Sequence, residues 1–141
     1  MSIQSVLLPL FVQVALTFVL LIWMGRSRIP LVQSGQVKPR DIALGQPNWP
    51  DGTTQISNAY HNQFQLPVLF YLLTVLAWIT RQADLLFVVM AWLFVLLRIG
   101  HALVHTTSNR LSRRFFVFSA GLIVLLIMWI IFAVRILSLP A

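Results

Sequence analysis

Four polar residues with the chemistry to bind an anion recur at helical spacing within an apolar stretch. They are spaced 3, 4 and 4 positions apart and comprise Arg98, His101, His105 and Asn109. On a helix such spacing places them along one side. Because an ionisable residue inside a membrane span is costly, it marks a functional site by default. The ordinary alternative is that Arg98 snorkels and the histidines lie among lipid headgroups. Snorkelling would explain one charged residue in a span but not four polar residues along one side of the helix. The spacing therefore favours a binding site.

A second polar face precedes another apolar stretch. Asn58, Asn62 and Gln65 lie 4 and 3 positions apart, and Pro67 follows, where it kinks or tightens a helix. Such amides also serve simply to bond one membrane helix to another, which is an equally ordinary interpretation. Taken together with the Arg98 stripe at the same depth, however, the two faces predict a shared polar pocket.

The charges of this pocket predict its ligand. Nine of the ten basic residues are arginine, and the nearest carboxylates are Asp41 and Asp51 in a loop. Arginine stays charged and grips carboxylates or phosphates with two parallel hydrogen bonds, so we expect an anionic ligand. Apolar helix walls beside it would accept a lipid-like second substrate. A metal site at His101 and His105 is the weaker interpretation, because two imidazoles need at least a third ligand.

The elements that position these residues follow from composition and hydropathy. The chain has 141 residues, of which 59% are hydrophobic and 9% charged. Soluble domains carry about 25% charged residues, so a water-soluble domain is excluded. Crossing a bilayer takes about 20 apolar residues, and in lipid only a helix closes every backbone hydrogen bond within one span. We predict one all-α domain over residues 1–141, a four-transmembrane-helix bundle with spans near 5–25, 57–80, 84–106 and 114–137.

The distribution of charge predicts topology rather than nucleic-acid binding. The first apolar stretch has no basic residue before it and no Ala-x-Ala site after it, so we interpret it as a retained span. The loops after the first and third spans hold seven basic residues, whereas the other side holds Arg81 and Arg135. The positive-inside rule then places both basic loops in the cytoplasm and both termini outside it. The compact loops fit a bacterial inner membrane, and a eukaryotic internal membrane is the alternative. The chain has no cysteine, which excludes disulfides and a thiol nucleophile.

Three motifs and their order resemble the MAPEG family, the membrane-associated proteins of eicosanoid and glutathione metabolism. The motifs are Gly25-Arg26-Ser27-Arg28 after the first span, Asn62-x-x-Gln65-x-Pro67, and Arg98-x-x-His101-x-x-x-His105. Arg113 or Arg114 falls where the family keeps an arginine beside the glutathione sulfur. The resemblance covers nearly the whole chain.

The resemblance implies a homotrimer that binds glutathione as co-substrate between neighbouring subunits. Family enzymes conjugate glutathione to a lipophilic electrophile, reduce lipid peroxides or isomerise an endoperoxide. Arg114 or Arg113 would hold the thiolate, and His105 would replace a tyrosine as hydrogen-bond donor. The residues that would hold the rest of the tripeptide are Arg26, Arg28, Asn62, Gln65, Arg98 and His101, and the polar stripe adds Asn109.

Three positions depart from the family pattern within this implied site. Gln65 stands where the family has an acidic residue, Asn58 where it has an arginine, and His105 where it has a tyrosine. These departures bear on how glutathione would bind. From the resemblance as a whole we expect a glutathione-dependent transferase or peroxidase acting on a lipophilic electrophile. The rival hypothesis is a non-catalytic lipid-binding or scaffold membrane protein of the same fold, because one family branch, the lipoxygenase-activating protein, binds lipid without catalysis.

Overall fold

Five α-helices form most of the computed structural model, which describes residues 1–140. They are α1 (Ile3–Gln33), α2 (Asp51–His61), α3 (Leu66–Ile79), α4 (Leu85–Thr106) and α5 (Leu111–Leu137). Four helical stretches are long and apolar enough to cross a membrane, with α2 and α3 together forming one of them. The described residues contain no β-strand. The prediction of an all-α fold with four membrane-spanning helices is therefore confirmed.

Helix α1 is longer than a bilayer core requires. Its 31 residues span about 46 Å, whereas the hydrocarbon core is about 30 Å thick. The helix therefore runs on beyond its predicted span and carries Arg26 and Arg28 on its final turns. It ends where Gly35 adopts the left-handed conformation, with a φ of 75°, which glycine tolerates without a steric cost.

The second membrane stretch is interrupted rather than continuous. The sequence predicted that its polar first turns would extend one helix, but α2 ends at His61 and a 3₁₀ turn spans Asn62–Phe64 before α3 begins. Pro67 has no N–H to continue the helical ladder, which favours an ending at this point. The interruption places Asn62 and Gln65 in a turn, which the Gln65 N–H closes by donating to the Asn62 carbonyl at 3.3 Å.

A buried amide pair fixes α1 against this turn. Gln13 and Gln63 are 0% and 1% exposed, although both are polar. The Gln13 Nε2 donates to Gln63 Oε1 at 2.9 Å, and Gln63 Nε2 donates to the Ala59 carbonyl at 2.9 Å. Because a buried amide is costly without partners, these bonds specify how α1 docks beside residue 62.

Helix α4 is the central element of the bundle. In its most apolar window 44% of the residues are buried, against 17% for α5. Its Phe94 ring packs on Phe70 of α3, with ring centroids 4.8 Å apart. Leu125 and Met128 of α5 join the same core. The outer faces of α1 and α5 remain apolar and exposed, as expected of surfaces that contact lipid.

An ion pair ties the beginning of α4 to the end of α5. Asp84 caps α4 by accepting from the Phe87 N–H at 2.9 Å, and its other oxygen accepts from Arg135 Nη2 at 2.7 Å. The Arg135 hydrogen bond is the main reason that the pKa of Asp84 lies below its ordinary value. The carboxylate thus serves both a helix terminus and an interhelical contact.

Replacing Asp84 by asparagine is expected to lower the free energy of unfolding by about 0.5 kcal/mol at pH 7, the scale of a solvent-screened pair. The Asp84 side chain is 46% exposed, so solvent weakens the interaction. Because the folded-state pKa is lowered, the stabilisation is present above the unfolded pKa of about 3.9 and is lost as pH falls through the folded value. Denaturation of detergent-purified protein across pH 3–7 checks this. A difference that persists below the folded pKa would contradict it, and Asp84→Ala, which also removes the cap, should cost more.

Candidate active site

An open groove of about 270 Å³ lies where the α2–α3 turn, the end of α4 and the start of α5 meet. It has a polar side and an apolar side. The lining residues are Asn62, Gln65, His101, His105, Leu111, Arg114, Phe115 and Phe118. The structure therefore brings five predicted site residues together, from three elements that are distant in sequence.

Arg114 is the charged residue of the groove, and its position is fixed by Asn109. The Arg114 Nη1 donates to Asn109 Oδ1 at 2.7 Å. The polar stripe was predicted to continue along α4 through Asn109, but the helix ends at Thr106 and Asn109 adopts a left-handed turn with a φ of 47°. Asn109 therefore holds Arg114 by a hydrogen bond and does not itself line the groove.

Two imidazoles lie next to each other on the same side. The His101 and His105 rings meet edge to face, with centroids 5.5 Å apart, as one helical turn between them allows. His101 also packs against the Phe118 ring at 5.7 Å. The Nδ1 atoms of both histidines are buried and have no hydrogen-bond partner within residues 1–140. Both rings line the groove, while these Nδ1 atoms lie inside the bundle.

Arg98 does not line the groove, although it was predicted to bind the ligand. It is 1% exposed, and its Nη2 donates to the backbone carbonyl and to the Oδ1 of Asn62. Its Nε and Nη1 have no partner within the described part of the chain. The same Asn62 carbonyl also accepts from the Gln65 backbone N–H at 3.3 Å, so it has two donors. Arg98 therefore acts on the groove through Asn62.

Asn62 continues this hydrogen-bond chain to Gln65. The Asn62 Nδ2 donates to Gln65 Oε1 at 2.7 Å, and both residues line the groove. Predicted residues from α4 and from the α2–α3 turn are thus joined in one continuous chain of hydrogen bonds that runs from a buried guanidinium to the groove surface.

The remaining arginines predicted for the site lie elsewhere. The Arg28 Nη2 donates to Ser57 Oγ at 2.7 Å, and its guanidinium stacks over the Trp49 ring at 4.6 Å. Arg28 therefore holds the long loop after α1 against α2. Arg26 lies in a different depression, together with Trp23. Arg113 is exposed and outside the groove, so the structure brings Arg114, and not Arg113, to the histidines.

No carboxylate lines the groove. The three acidic residues of the chain are Asp41, Asp51 and Asp84. Asp84 pairs with Arg135, and Asp41 lies 3.7 Å from Arg40. Asp51 opens α2. The described residues also contain no group of three metal-ligating side chains. The groove therefore carries positive charge that the protein does not neutralise locally, which suits an anion.

The apolar side of the groove is formed by residues of α5 that the sequence did not distinguish from other apolar positions. Leu111, Phe115 and Phe118 lie 4 and 3 positions apart on α5, and Leu111 and Phe115 are each 69% exposed. Their helical spacing is present in the sequence. Because the whole stretch is apolar, however, spacing alone did not distinguish groove residues from lipid-facing ones.

Comparison with known protein families matches residues 6–134 to the MAPEG family. The chain belongs to this family. No curated protein and no solved structure matches it significantly. The MAPEG match extends from the first turns of α1 nearly to the end of α5, so it includes every lining residue of the groove. Because MAPEG proteins include glutathione transferases and peroxidases as well as other members, membership alone leaves the activity open.

Proposed function

We propose that this MAPEG protein is a glutathione-dependent membrane transferase or peroxidase that acts on a lipophilic electrophile. The observation that carries the proposal is Arg114, held by Asn109 beside two imidazoles in a groove without a carboxylate. Fixed cationic and hydrogen-bonding groups of this kind stabilise a thiolate, because a nearby positive charge lowers a thiol's pKa. When bound, glutathione would supply the thiol for this chemistry.

The residues of the polar side fit an anionic tripeptide at most of their positions. Arg114 offers a charged fork for the sulfur or a carboxylate, and the His101 and His105 rings line the groove with it. Asn62 contacts both Arg98 and Gln65 and keeps the polar side in one arrangement. The amino end of glutathione is matched less well, because Gln65 has no charge to pair with an ammonium group.

The apolar side supports a lipophilic second substrate. Leu111 and Phe115 are exposed on the outside of α5, a helix that contacts lipid along most of its length, and Phe118 lies deeper beside His101. An apolar molecule dissolved in the bilayer would therefore reach the groove without crossing water. Burial of its surface against these side chains would hold it beside Arg114.

Lipid binding without catalysis is the second candidate function. The same exposed wall favours it, since Leu111, Phe115 and Phe118 would hold an acyl chain whether or not a thiol is present. The two candidates differ in their dependence on glutathione. A transferase or peroxidase needs it, whereas a lipid-binding protein is stabilised by lipid alone.

Millimolar glutathione is expected to raise the melting temperature of the detergent-purified protein in a saturable way, because a ligand that binds the folded state stabilises it by mass action. The shift should become much smaller in Arg114→Ala and persist in Arg113→Ala, which removes an equal charge one residue away. Differential scanning fluorimetry measures both. No shift with glutathione, together with a shift on adding lipid, would favour the non-catalytic alternative.

We further propose that the protein is a homotrimer in a bacterial inner membrane, with both basic loops in the cytoplasm and both termini outside. The exposed apolar faces of α1 and α5 support association with lipid or with other subunits. The seven basic residues that flank the groove end of the bundle support this orientation.

A further inference from the structure

The hydrogen-bond chain from Arg98 has a fixed direction. A guanidinium carries only donors, so the side-chain atom of Asn62 that meets Arg98 Nη2 must be the oxygen Oδ1. The amide group of Asn62 is planar, and its nitrogen therefore points the other way, toward Gln65. Because Arg98 is 1% exposed and cannot turn to water, it holds Asn62 in this orientation.

The orientation of Asn62 in turn determines that of Gln65. The Asn62 Nδ2 is a donor and meets Gln65 Oε1 at 2.7 Å, which engages one lone pair of that oxygen and directs the acceptor end of the Gln65 amide toward Asn62. The donor end, Nε2, has no protein acceptor within residues 1–140, and Gln65 lines the groove. A buried arginine thus dictates, through two amides, that residue 65 offers hydrogen-bond donors to a ligand.

The residues around Gln65 also favour a ligand group that accepts hydrogen bonds. The charged side chain of the groove is Arg114, and no carboxylate lines it. Gln65 is solvent-exposed, and a ligand ammonium beside its Nε2 would face an N–H donor and no carboxylate to pair with. A carboxylate or carbonyl in the same place would accept from Nε2 and be attracted by Arg114.

We propose that the groove selects an anionic thiol whose end beside Gln65 carries a hydrogen-bond acceptor and no ammonium group. This inference rests on the proposed function for the thiol and narrows its class. The free amino group of glutathione contributes nothing to binding here, so thiols that lack it are bound at least as well.

The test compares glutathione with its analogue in which the α-amino group is replaced by hydrogen. Isothermal titration calorimetry of the detergent-purified full chain gives Kd for each. We expect the analogue to bind the unaltered protein at least as tightly as glutathione. A preference of about tenfold or more for glutathione, the scale of one charge-assisted hydrogen bond, would overturn the inference while leaving the proposed function intact. Binding of neither ligand would overturn both.

Two variants test whether residue 65 determines the preference between glutathione and its analogue. Gln65→Glu supplies an acceptor with a charge and should create a preference for glutathione of about tenfold. Asn62→Asp should create the same preference without changing residue 65. The second carboxylate oxygen of the substituted side chain would accept from Gln65 Nε2, which would turn Gln65 Oε1 toward the groove. An unchanged ratio of the two Kd values in both folded variants would overturn the inference. The comparison on the unaltered protein stands even if a variant fails to fold.

Discussion

Replacing Arg114 by alanine is expected to lower glutathione-dependent turnover by about 10²–10³-fold, the effect of removing one preorganised charged donor. Arg114 is held by Asn109 and is the charged side chain that lines the groove. A thiolate formed there would lose the cation that stabilises it. The rate should be measured with a hydrophobic electrophile in detergent or in vesicles. The matched control is Arg113→Ala, in which the neighbouring exposed arginine is removed and turnover should change little.

The pH dependence separates this role from a merely structural one. Without Arg114 the bound thiol should return toward its ordinary pKa of about 8.5. The loss of rate in Arg114→Ala should therefore be larger at pH 6.5 than at pH 9, where the thiol ionises without help. A loss of the same size at every pH would show that Arg114 positions the substrate or stabilises the fold instead.

Replacing Arg98 by methionine should stabilise the ligand-free protein and weaken ligand binding. Arg98 is 1% exposed, and two of its nitrogens have no partner in the described residues, so its burial carries a desolvation cost that an apolar side chain of similar length avoids. Comparable replacements of buried charges stabilise proteins by about 1–4 kcal/mol. Asn62 would lose the donor that orients it, so we expect glutathione to bind about tenfold more weakly, equivalent to one hydrogen bond.

The measurement is the melting temperature with and without glutathione, and Arg98→Lys is the matched control. Lysine keeps the charge but has no guanidinium fork to reach the carbonyl and Oδ1 of Asn62 together. It should therefore bind ligand weakly without the gain in stability. A lower melting temperature for ligand-free Arg98→Met would show that the bonds to Asn62 stabilise the fold by more than the burial of the charge costs.

The helices were predictable from sequence because the bilayer sets their length and forbids unpaired backbone groups. The interruption at Asn62–Phe64 was less predictable. Pro67 marks the neighbourhood, but a proline by itself only kinks many membrane helices. Within the turn the Asn62 carbonyl accepts from the Gln65 N–H, and Arg98 from another helix donates to the same carbonyl. That is a tertiary contact, and no local pattern contains it.

The candidate site was predictable only where its residues share one helix. His101 and His105 share a helix, so their spacing indicated one face. The choice between Arg113 and Arg114 was left open because neighbours on a helix point about 100° apart and the phase of α5 depends on its packing. Arg28 was assigned to the ligand, yet it stacks on Trp49 from the long loop. Loop contacts of this kind have no periodicity that a sequence reveals.

The bond from Arg98 to Asn62 joins residues 36 positions apart, across the turn between α3 and α4. Arg114, from the last helix, then completes the polar side. During synthesis, the α2–α3 turn is therefore made 36 residues before its partner arginine, and the bond can form only after α4 has been added. The groove needs α5 as well, so a chain that stops before Arg114 lacks the charged side chain of the site.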